Sequence, residues 1–441
     1  MRRLVWVGIC VTCLFSPHTL KADFIDALGV GARAMAMGSA YVSVSDDLSA
    51  IYYNPAGLAQ IETHQLLVGY LWSDPSLEEH ATADPSFHAE QVVPYHLKTP
   101  VVALGFNLDK AIKGKLPIHA RIGVMNMMAD NFKSIYRLWD PEPKTARWVR
   151  FGDYWDRVYL LGGLSLQPDK IPWISVGLGF RFIISGSMFM LDRYGTAGLD
   201  VVIEDLYLHT LTKANLDLNV DSEVTPTAGV MITPTKNLRL GYSFHNSLSL
   251  LVSPVYADAK ARLVLNGNEG LVLELPLSLV SEGYYWPQQH NFGASYQWGE
   301  QLLLSLQLSW FRWSQFSSLS RGTPDPTWDD ILVPRFGIEY CPLKALALRG
   351  GYFFEPSPVP EQTRVSNYID NDRHVFSVGA GYTFSDPWHI VRQPMSIDIV
   401  FQYIHMPTRK TEKEDPMFEP GYSYESRGEV FSVGGNLTFR F

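Results

Sequence analysis

Cysteines, long apolar runs and clusters of positive charge are all scarce in this chain of 441 residues. Two of the three cysteines, Cys10 and Cys13, fall within the first 22 residues, so a mature chain without that segment keeps only Cys341 and can form no intramolecular disulfide. Past that segment, no uninterrupted apolar run reaches the roughly 18 residues of a membrane-spanning helix. The formal net charge is −9 and no Lys/Arg cluster is present, which argues against nucleic acid as a partner.

Motifs of catalysis are missing as well. The chain has no Gly-x-Ser-x-Gly elbow, no His-Glu-x-x-His zinc motif and no glycine-rich phosphate loop with a lysine. His88 and Glu90 lack the paired cysteines of a deaminase. Asp370 and Asp372 are spaced as in a calcium loop, but the remainder of that loop is absent and a solvated turn is the simpler interpretation. We predict no enzyme, no cofactor and no metal; a lipase with Ser and His on different strands stays an alternative, which a chromogenic ester assay tests.

The first residues have the order of a secretory signal. Arg2 and Arg3 precede an apolar run from Leu4 to Phe15, and a short polar stretch ends at Ala22. The run is too short to span a bilayer as a mature helix. We therefore predict a signal peptide over residues 1–22 and exclude it from the fold.

The end of the chain alternates strictly between apolar and polar residues. From Val430 to Phe441 one face of the predicted strand is apolar and the other is polar, the pattern of a half-buried sheet or of a membrane barrel wall. Similar segments recur through the chain, and fourteen of them are predicted strands: His64–Trp72, Thr99–Leu108, Ile118–Asn126, Asp156–Leu166, Trp173–Met190, Lys213–Thr233, Leu238–Leu250, Gly270–Trp298 with an interruption, Gln301–Trp313, Val333–Cys341, Ala345–Phe354, His374–Phe384, Met395–His405 and Glu429–Phe441. An even number of alternating segments predicts an all-β, 14-stranded antiparallel outer-membrane β-barrel.

The connections between these segments alternate in length. Short turns rich in Pro, Gly and Asn suit the periplasmic rim: Pro168–Pro172, Pro234–Asn237, Gly299–Glu300 and Pro342–Lys344. Long connections are predicted as extracellular loops: Ser73–Lys98, Met127–Trp155, Leu191–Thr212, Leu251–Glu269, Ser314–Leu332, Glu355–Arg373 and Met406–Gly428. Tryptophans near predicted strand ends are expected in the headgroup zone: Trp173, Trp298, Trp310, Trp313 and Trp388.

The segment between the signal and the first strand follows neither a strand nor a clean helix period. It runs from Asp23 to Ile61, is rich in small residues and contains Met35 and Met37. We predict that residues 23–63 form a small, partly helical hatch in the lumen of a barrel formed by residues 64–441. A frayed N-terminal tail is the alternative.

Two stretches of this segment make a family resemblance specific. Gly31 to Tyr41 and Asn54-Pro55-Ala56-Gly57 resemble the N-terminal hatch of the FadL/TodX-type outer-membrane transporters of long-chain fatty acids and hydrocarbons. Segments from Pro234 to Tyr382 resemble that family's later strands in the right order. The resemblance implies a fourteen-stranded barrel plugged by the hatch, with a conformational role for Asn54, Pro55, Ala56 and Gly57. The third strand departs from the family, since Gly123 to Phe132 lacks the Pro/Gly-rich stretch next to the inward kink of well-known members.

Candidate ligand-binding residues follow from the strand phase. Arginines that alternate with apolar outward positions should face the lumen, where they can neutralise a carboxylate or form structural ion pairs: Arg121, Arg181, Arg239, Arg335 and Arg349. Met35 and Met37 are further lumen candidates. Trp139, Trp148 and Trp155 lie in a long loop and are candidates for capture of an apolar ligand or for protein docking.

Together these features predict a passive outer-membrane transporter that takes up long-chain fatty acids or similar hydrophobic molecules. A scaffold, secretion anchor or surface antigen that passes no solute is the alternative. The expected partners are an apolar small molecule, outer-membrane lipid and the barrel-assembly machinery, which would read the strand that ends at Phe441. We expect a monomer.

Overall fold

The structure is a computed structural model that describes residues 28–81, 96–109, 117–127, 147–148, 159–183, 187–196, 201–203, 206–220, 223–265, 268–276, 281–317, 323–324, 326–363, 368–387, 391, 393–414 and 423–441. The predicted signal peptide, residues 23–27 of the predicted hatch, and Trp139, Trp155 and Trp388 lie outside these residues.

Strands dominate the described chain. In order they are β1 (Gln65–Ala81), β2 (Leu97–Asn107), β3 (Ile118–Met127), β4 (Arg147–Trp148), β5 (Tyr159–Pro168), β6 (Ile174–Ile183), β7 (Ser187–Thr196), β8 (Val201–Ile203), β9 (Leu206–Val220), β10 (Glu223–Ile232), β11 (Leu238–His245), β12 (Leu248–Leu265), β13 (Asn268–Pro276), β14 (Ser281–Trp286), β15 (Gln289–Trp298), β16 (Leu302–Phe311), β17 (Ile331–Leu343), β18 (Leu346–Glu355), β19 (Tyr368–Ile369), β20 (Arg373–Phe384), β21 (Met395–Thr411) and β22 (Tyr424–Arg440). The helices are α1 (Ala32–Ala36), α2 (Ala50–Tyr53) and two 3-10 helices, Pro55–Gln60 and Trp313–Gln315. No described helix is long and apolar enough to cross a membrane.

Fourteen of these strands close into one barrel, in the order β1-β2-β3-β5-β6-β10-β11-β15-β16-β17-β18-β20-β21-β22. Neighbours are antiparallel, and β22 pairs with β1 to close the wall. Each predicted segment overlaps one barrel strand, so the predicted fold class is confirmed. The third strand, β3, pairs with β2 and β5 without a register shift.

The two faces of the wall differ as the alternation predicts. On β20, Phe376, Val378 and Tyr382 point outward and are 49%, 59% and 52% exposed, whereas Ser377 points inward and is 3% exposed. Apolar side chains on the outer face contact lipid instead of water, while small and polar side chains line the interior. The inner face of the sheet therefore has to be covered by other residues of the chain.

Two predicted loops are wrong. Residues assigned to Leu191–Thr212 and Leu251–Glu269 belong largely to a second, six-stranded sheet in which β12 pairs with β9, β13 and β14, and β9 pairs with β7 and β8. The strands β1 and β22, which close the barrel, also extend beyond their predicted ends. They are paired from Gln65 with Arg440 to Ala81 with Tyr424. The two connections predicted as loops also alternate between apolar and polar residues, so their strands pair with one another in a separate sheet.

The hatch, defined here as residues 28–61, lies inside the barrel. Helix α1 contacts β18, β20, β21 and β22, and the 3-10 helix Pro55–Gln60 contacts β3, β5, β6 and β10 on the other side. Most hatch residues are buried. The partly helical hatch in the lumen is thus confirmed, and the tail alternative is wrong for residues 28–61.

Tryptophans confirm the predicted interfacial positions only in part. Trp173, Trp298 and Trp310 lie on the outer face near strand ends and are exposed there. Trp313 is fully buried instead. Its prediction as an interfacial residue is wrong because β16 ends at Phe311, and the 3-10 helix that follows turns Trp313 into the protein.

Candidate functional site

A ring of glycines in the wall lets the hatch backbone approach closely. A Cβ added to Gly177 would lie 2.1 Å from the backbone nitrogen of Ala56, and one added to Gly351 would lie 1.9 Å from the backbone nitrogen of Gly38. Glycines on ten wall strands meet hatch atoms in this way: Gly105, Gly123, Gly163, Gly177, Gly229, Gly241, Gly293, Gly337, Gly351 and Gly379. We call this set the glycine ring. Because only glycine leaves room for this contact, the wall is shaped to hold the hatch.

Asn54 fixes the turn between helix α2 and the 3-10 helix that follows it. Helix α2 ends at Tyr53, and Asn54 is extended (φ −160°, ψ 101°), as expected for a residue before proline. Its side-chain oxygen accepts a hydrogen bond from the Ala56 nitrogen at 3.1 Å, and its Nδ2 donates to the carbonyls of Val42 (2.9 Å) and Val230 (3.2 Å). One buried side chain thus caps the 3-10 helix and joins two hatch segments to the wall.

The rest of the motif is in close contact with its surroundings. Pro55 starts the 3-10 helix, where its missing N–H costs no hydrogen bond. The carbonyl of Ala56 accepts hydrogen bonds from the hydroxyls of Ser165 (3.0 Å) and Ser175 (2.9 Å) on the wall. A Cβ at Gly57 would lie 2.1 Å from a hatch carbonyl. Each of the four motif residues therefore has a packing or hydrogen-bonding reason to be what it is.

The side of the hatch that faces the short turns carries charges. The Arg33 guanidinium makes two hydrogen bonds of 2.8 Å to the Glu339 carboxylate and pairs with Asp46. Glu339 also accepts from Arg349 at 2.6 Å, which in turn pairs with Asp398 at 2.6 Å. These residues, with Arg239, form what we call the ion network.

The ion network joins the hatch to four wall strands. Glu339, Arg349, Asp398 and Arg239 belong to β17, β18, β21 and β11, and Arg239 reaches Asp46 at 3.3 Å. A cavity of about 410 Å³ borders the network at the short-turn end. A space of that size holds many waters, so this side of the hatch is a polar chamber.

Sequence reasoning gave Arg239 and Arg349 the same candidate role as Arg181 and Arg335, but the hatch separates the two pairs. Arg239 and Arg349 lie in the ion network. Arg121, also near the short turns, donates to the Ile61 carbonyl at 2.6 Å and pairs with Asp109. Arg239 and Arg121 contact the hatch directly, whereas Arg349 is linked to it only through Glu339.

The opposite side of the hatch, towards the long loops, contains a small pocket of about 30 Å³, which we call the upper pocket. Hatch residues form its floor, and its wall is mostly polar: His245, Gln289, Asn291, Gln307, Ser309 and Arg335, together with Phe311 and Phe353. Such a volume holds about two water molecules. The pocket matches a small polar group in size.

Arg335 lies at the edge of the upper pocket. Its guanidinium carbon is 3.9 Å from the ring centroid of Phe353, and a guanidinium nitrogen lies 3.9 Å from the Glu355 carboxylate. Arg181 is also on this side of the hatch, where it donates to the Asn246 carbonyl at 2.8 Å. Of the predicted arginines, these two lie on the long-loop side of the hatch.

His245 lines the same pocket and is 2% exposed. The backbone carbonyls of Tyr52 and Tyr53 face the imidazole ring of His245. Neither ring nitrogen forms a hydrogen bond of standard geometry with a described residue. Sequence reasoning missed His245 because a single histidine at a strand end carries no distinguishing pattern.

Met35 and Met37 belong to the packed interior of the hatch. They are 2% and 0% exposed. Met35 borders a space of only about 10 Å³ beside Leu71, Val101 and Met127. That volume holds one water at most, so in this arrangement the methionines contact protein atoms.

Above the upper pocket lies a cluster of buried aromatic rings. Phe311 borders the pocket and contacts Trp286 at 6.1 Å between ring centroids. Trp286 and the other rings of the cluster are linked by further ring contacts; these rings are Tyr285, Trp313, Phe316, Trp328 and Tyr368. Sequence reasoning missed the cluster because its rings come from segments that are far apart in the sequence.

Trp148, predicted to capture ligand at the surface, is 8% exposed. Its short strand β4 pairs in parallel with β19, which carries Tyr368. The residue is part of the packed core at the loop end, and a role as an exposed collector does not fit this position.

Comparison with known proteins assigns the chain to a protein family. Residues 171–441, more than half of the chain, match the model of the family described as outer membrane protein transport protein (OMPP1/FadL/TodX). The chain belongs to this family. The OMPP1/FadL/TodX family consists of transport proteins, so the protein is an outer-membrane, multi-pass β-barrel transporter of hydrophobic molecules and not an enzyme.

Curated relatives agree with this assignment. Alkane uptake protein A of Marinobacter nauticus is 22% identical over 424 residues, which covers 90% of this chain and 86% of the relative. The long-chain fatty acid transport protein of Escherichia coli K12 is 24% identical over 226 residues, and the match covers 48% of this chain and 47% of that protein.

Solved structures of the OMPP1/FadL/TodX type share the fold. A Pseudomonas aeruginosa FadL homologue superposes with a TM-score of 0.60 at 17% identity, covering 96% of this chain and 99% of the other. The Pseudomonas putida toluene transporter TodX superposes with a TM-score of 0.55 at 15% identity, covering 94% and 99%.

Among the described residues, no group of His, Cys, Asp and Glu is arranged to hold a metal ion.

Proposed function

We propose that the protein takes up long-chain fatty acids or similar hydrophobic molecules, with the polar end of the molecule in the upper pocket and its chain among the aromatic rings above. The observation that carries this proposal is the adjacency of the two environments through Phe311. A fatty acid needs both, because its carboxylate requires hydrogen bonds and its chain gains about 0.8 kcal/mol per buried CH₂.

The proposed roles of the candidate residues follow their side of the hatch. Arg335 and Arg181 are placed to neutralise a carboxylate, and His245 and Gln289 to hydrogen-bond it. Arg239 and Arg349 are proposed to anchor the hatch. The turn at Asn54, Pro55, Ala56 and Gly57 is proposed to let the hatch change between holding and releasing ligand.

The names of the relatives support both fatty acids and alkanes as substrates, and the upper pocket favours the former. An alkane offers nothing to the polar groups of the pocket, which would lose their water without a partner. We infer that a molecule with a polar end is preferred over a plain hydrocarbon of equal length.

Uptake by cells that lack their own transporter tests the proposal. Cells that express the full chain should accumulate labelled oleate faster than cells with an empty vector, and faster than they accumulate hexadecane. The variant Arg335→Met should reduce oleate uptake by about tenfold, the effect of one charge-assisted hydrogen bond, and leave hexadecane unchanged. Uptake of neither compound would contradict the proposal and favour the scaffold alternative.

We further propose that the protein acts as a monomer and that the barrel-assembly machinery reads its last strand. The closed wall leaves no barrel edge to pair with a second copy. Phe441 is 48% exposed beside the end of β22. Replacing Phe441 by Asp should lower the folded fraction in the outer membrane and leave export across the inner membrane intact; normal levels of heat-modifiable barrel would contradict this.

A further inference from the structure

The outer face of the barrel carries three histidines near the long-loop end, in two sets of side-by-side residues that are offset by two positions between β17 and β18. Strand register puts Phe244, His290, Trp310 and Leu332 side by side on β11, β15, β16 and β17. It likewise puts Phe354, His374, His405 and Glu429 side by side on β18, β20, β21 and β22. We call His290, His374 and His405 the histidine row.

Aromatic residues lie on the same face of these strands, two positions closer to the membrane centre. These residues, the aromatic row, are Tyr242, Phe292, Tyr352, Phe376, Tyr403 and Phe431. Phe292, Phe376 and Phe431 are each about half exposed on the outer face. Rings in such a row mark the boundary between hydrocarbon and headgroups in membrane barrels. Two residues further along a tilted strand, about 5 Å farther out, is the level of the polar headgroups.

The tyrosines of the aromatic row orient the imidazoles. Tyr242 Oη is 3.0 Å from His290 Nδ1, and Tyr352 Oη is 2.9 Å from His374 Nδ1. His290 also stacks on Trp310, with ring centroids 5.3 Å apart. Because Nδ1 is engaged, Nε2 is the nitrogen that remains for an outside partner, and no described residue hydrogen-bonds it in either histidine.

The charges around the row are few and mixed. The Arg312 guanidinium lies 5.5 Å from the Trp310 ring, next to His290. His405 Nδ1 is 3.8 Å from Glu429, which accepts a hydrogen bond from Tyr403 at 2.9 Å. Histidines at the short-turn rim are already engaged: His64 Nδ1 accepts from the Asn107 nitrogen, and His119 contacts Asp109 and Asp169.

We propose that the histidine row binds the phosphorylated glycolipid of the outer leaflet. Imidazole nitrogens at this depth donate to phosphate and sugar oxygens, and Arg312 supplies a positive charge beside His290. The site is independent of the lumen and therefore of the proposed substrate.

The test uses the full-length barrel in detergent micelles titrated with bisphosphorylated lipid A, and native mass spectrometry to count bound lipid. The variant His290→Gln/His374→Gln/His405→Gln should bind about tenfold more weakly than the parent, as expected for lost hydrogen bonds to a charged group. The control His64→Gln/His119→Gln at the opposite rim should change binding less than about twofold. Heat-modifiable mobility establishes that each variant is folded, and the pair His290→Gln/His374→Gln replaces the triple variant if that one does not fold.

Lipid A without its phosphates separates a specific site from general lipid binding. The parent should bind it about tenfold more weakly than the bisphosphorylated form. Equal affinity of the parent for both lipids, or parental affinity in the histidine variant, would overturn the proposal.

Discussion

The two sides of the hatch offer different environments to a molecule that crosses the barrel. Towards the long loops, the upper pocket of about 30 Å³ meets a cluster of aromatic rings. Towards the short turns, the ion network borders a polar cavity of about 410 Å³. An apolar chain keeps its burial in the first environment and loses about 0.8 kcal/mol per CH₂ in the second. The hatch therefore separates a small polar pocket beneath buried aromatic rings from a larger polar cavity.

Removing the boundary should have the largest effect. A barrel without residues 23–61 is expected to insert and to leak small polar solutes at least about tenfold faster, because water fills the empty lumen. Swelling of liposomes in a small sugar measures the leak. Equal tightness of the deletion and the parent would mean that the hatch does not seal the barrel.

The glycine ring allows a sharper test, since neighbouring glycines point in opposite directions. Gly351→Ala places a Cβ 1.9 Å from a hatch nitrogen, whereas at Gly350 the nearest neighbour of a Cβ is 3.4 Å away, on Ile338. We expect the first change to destabilise the seated hatch by about 1–3 kcal/mol and to raise the leak. The second should cost less than about 0.5 kcal/mol. Similar leaks in both variants would argue against close seating.

The ion network should contribute less, because it borders a polar cavity. Arg33→Gln removes two hydrogen bonds to Glu339 and the pair with Asp46, and we expect a loss of about 1–2 kcal/mol in hatch seating. Salt screens the remaining attraction only weakly at such short range. If the pair acts directly, combining Arg33→Gln with Glu339→Gln should raise the leak by less than the sum of the two single variants; strictly additive leaks would contradict that.

The smallest change concerns movement of the hatch. Pro55→Ala removes a ring that fixes its own backbone and biases Asn54 towards its extended conformation. We expect oleate uptake to slow more than equilibrium binding weakens, with no added leak of sugar. If leak rises together with the loss of uptake, the proline only stabilises the hatch.

Alternation and the Asn54 turn could be predicted because both are local. The strand from Val430 to Phe441 and the end of α2 at Tyr53 follow from residues next to each other. Alternation does not say what covers a face, so the sequence predicts loops for much of β9 and β12, whereas the structure pairs the two strands in a second sheet. Arg33 and Glu339 are 306 positions apart, and no pattern within one sequence joins them. The side of the hatch on which each arginine lies could not be predicted for the same reason.

Mapping where a bound fatty acid lies tests the central claim most directly. A palmitate that carries a photoreactive diazirine near its carboxyl is bound to the full-length barrel, irradiated, and located by mass spectrometry at residue level. We predict labels on residues of the upper pocket, such as Gln307 and Phe353. Labels on residues of the polar cavity, such as Cys341 and Lys344, would contradict the division of the lumen by the hatch.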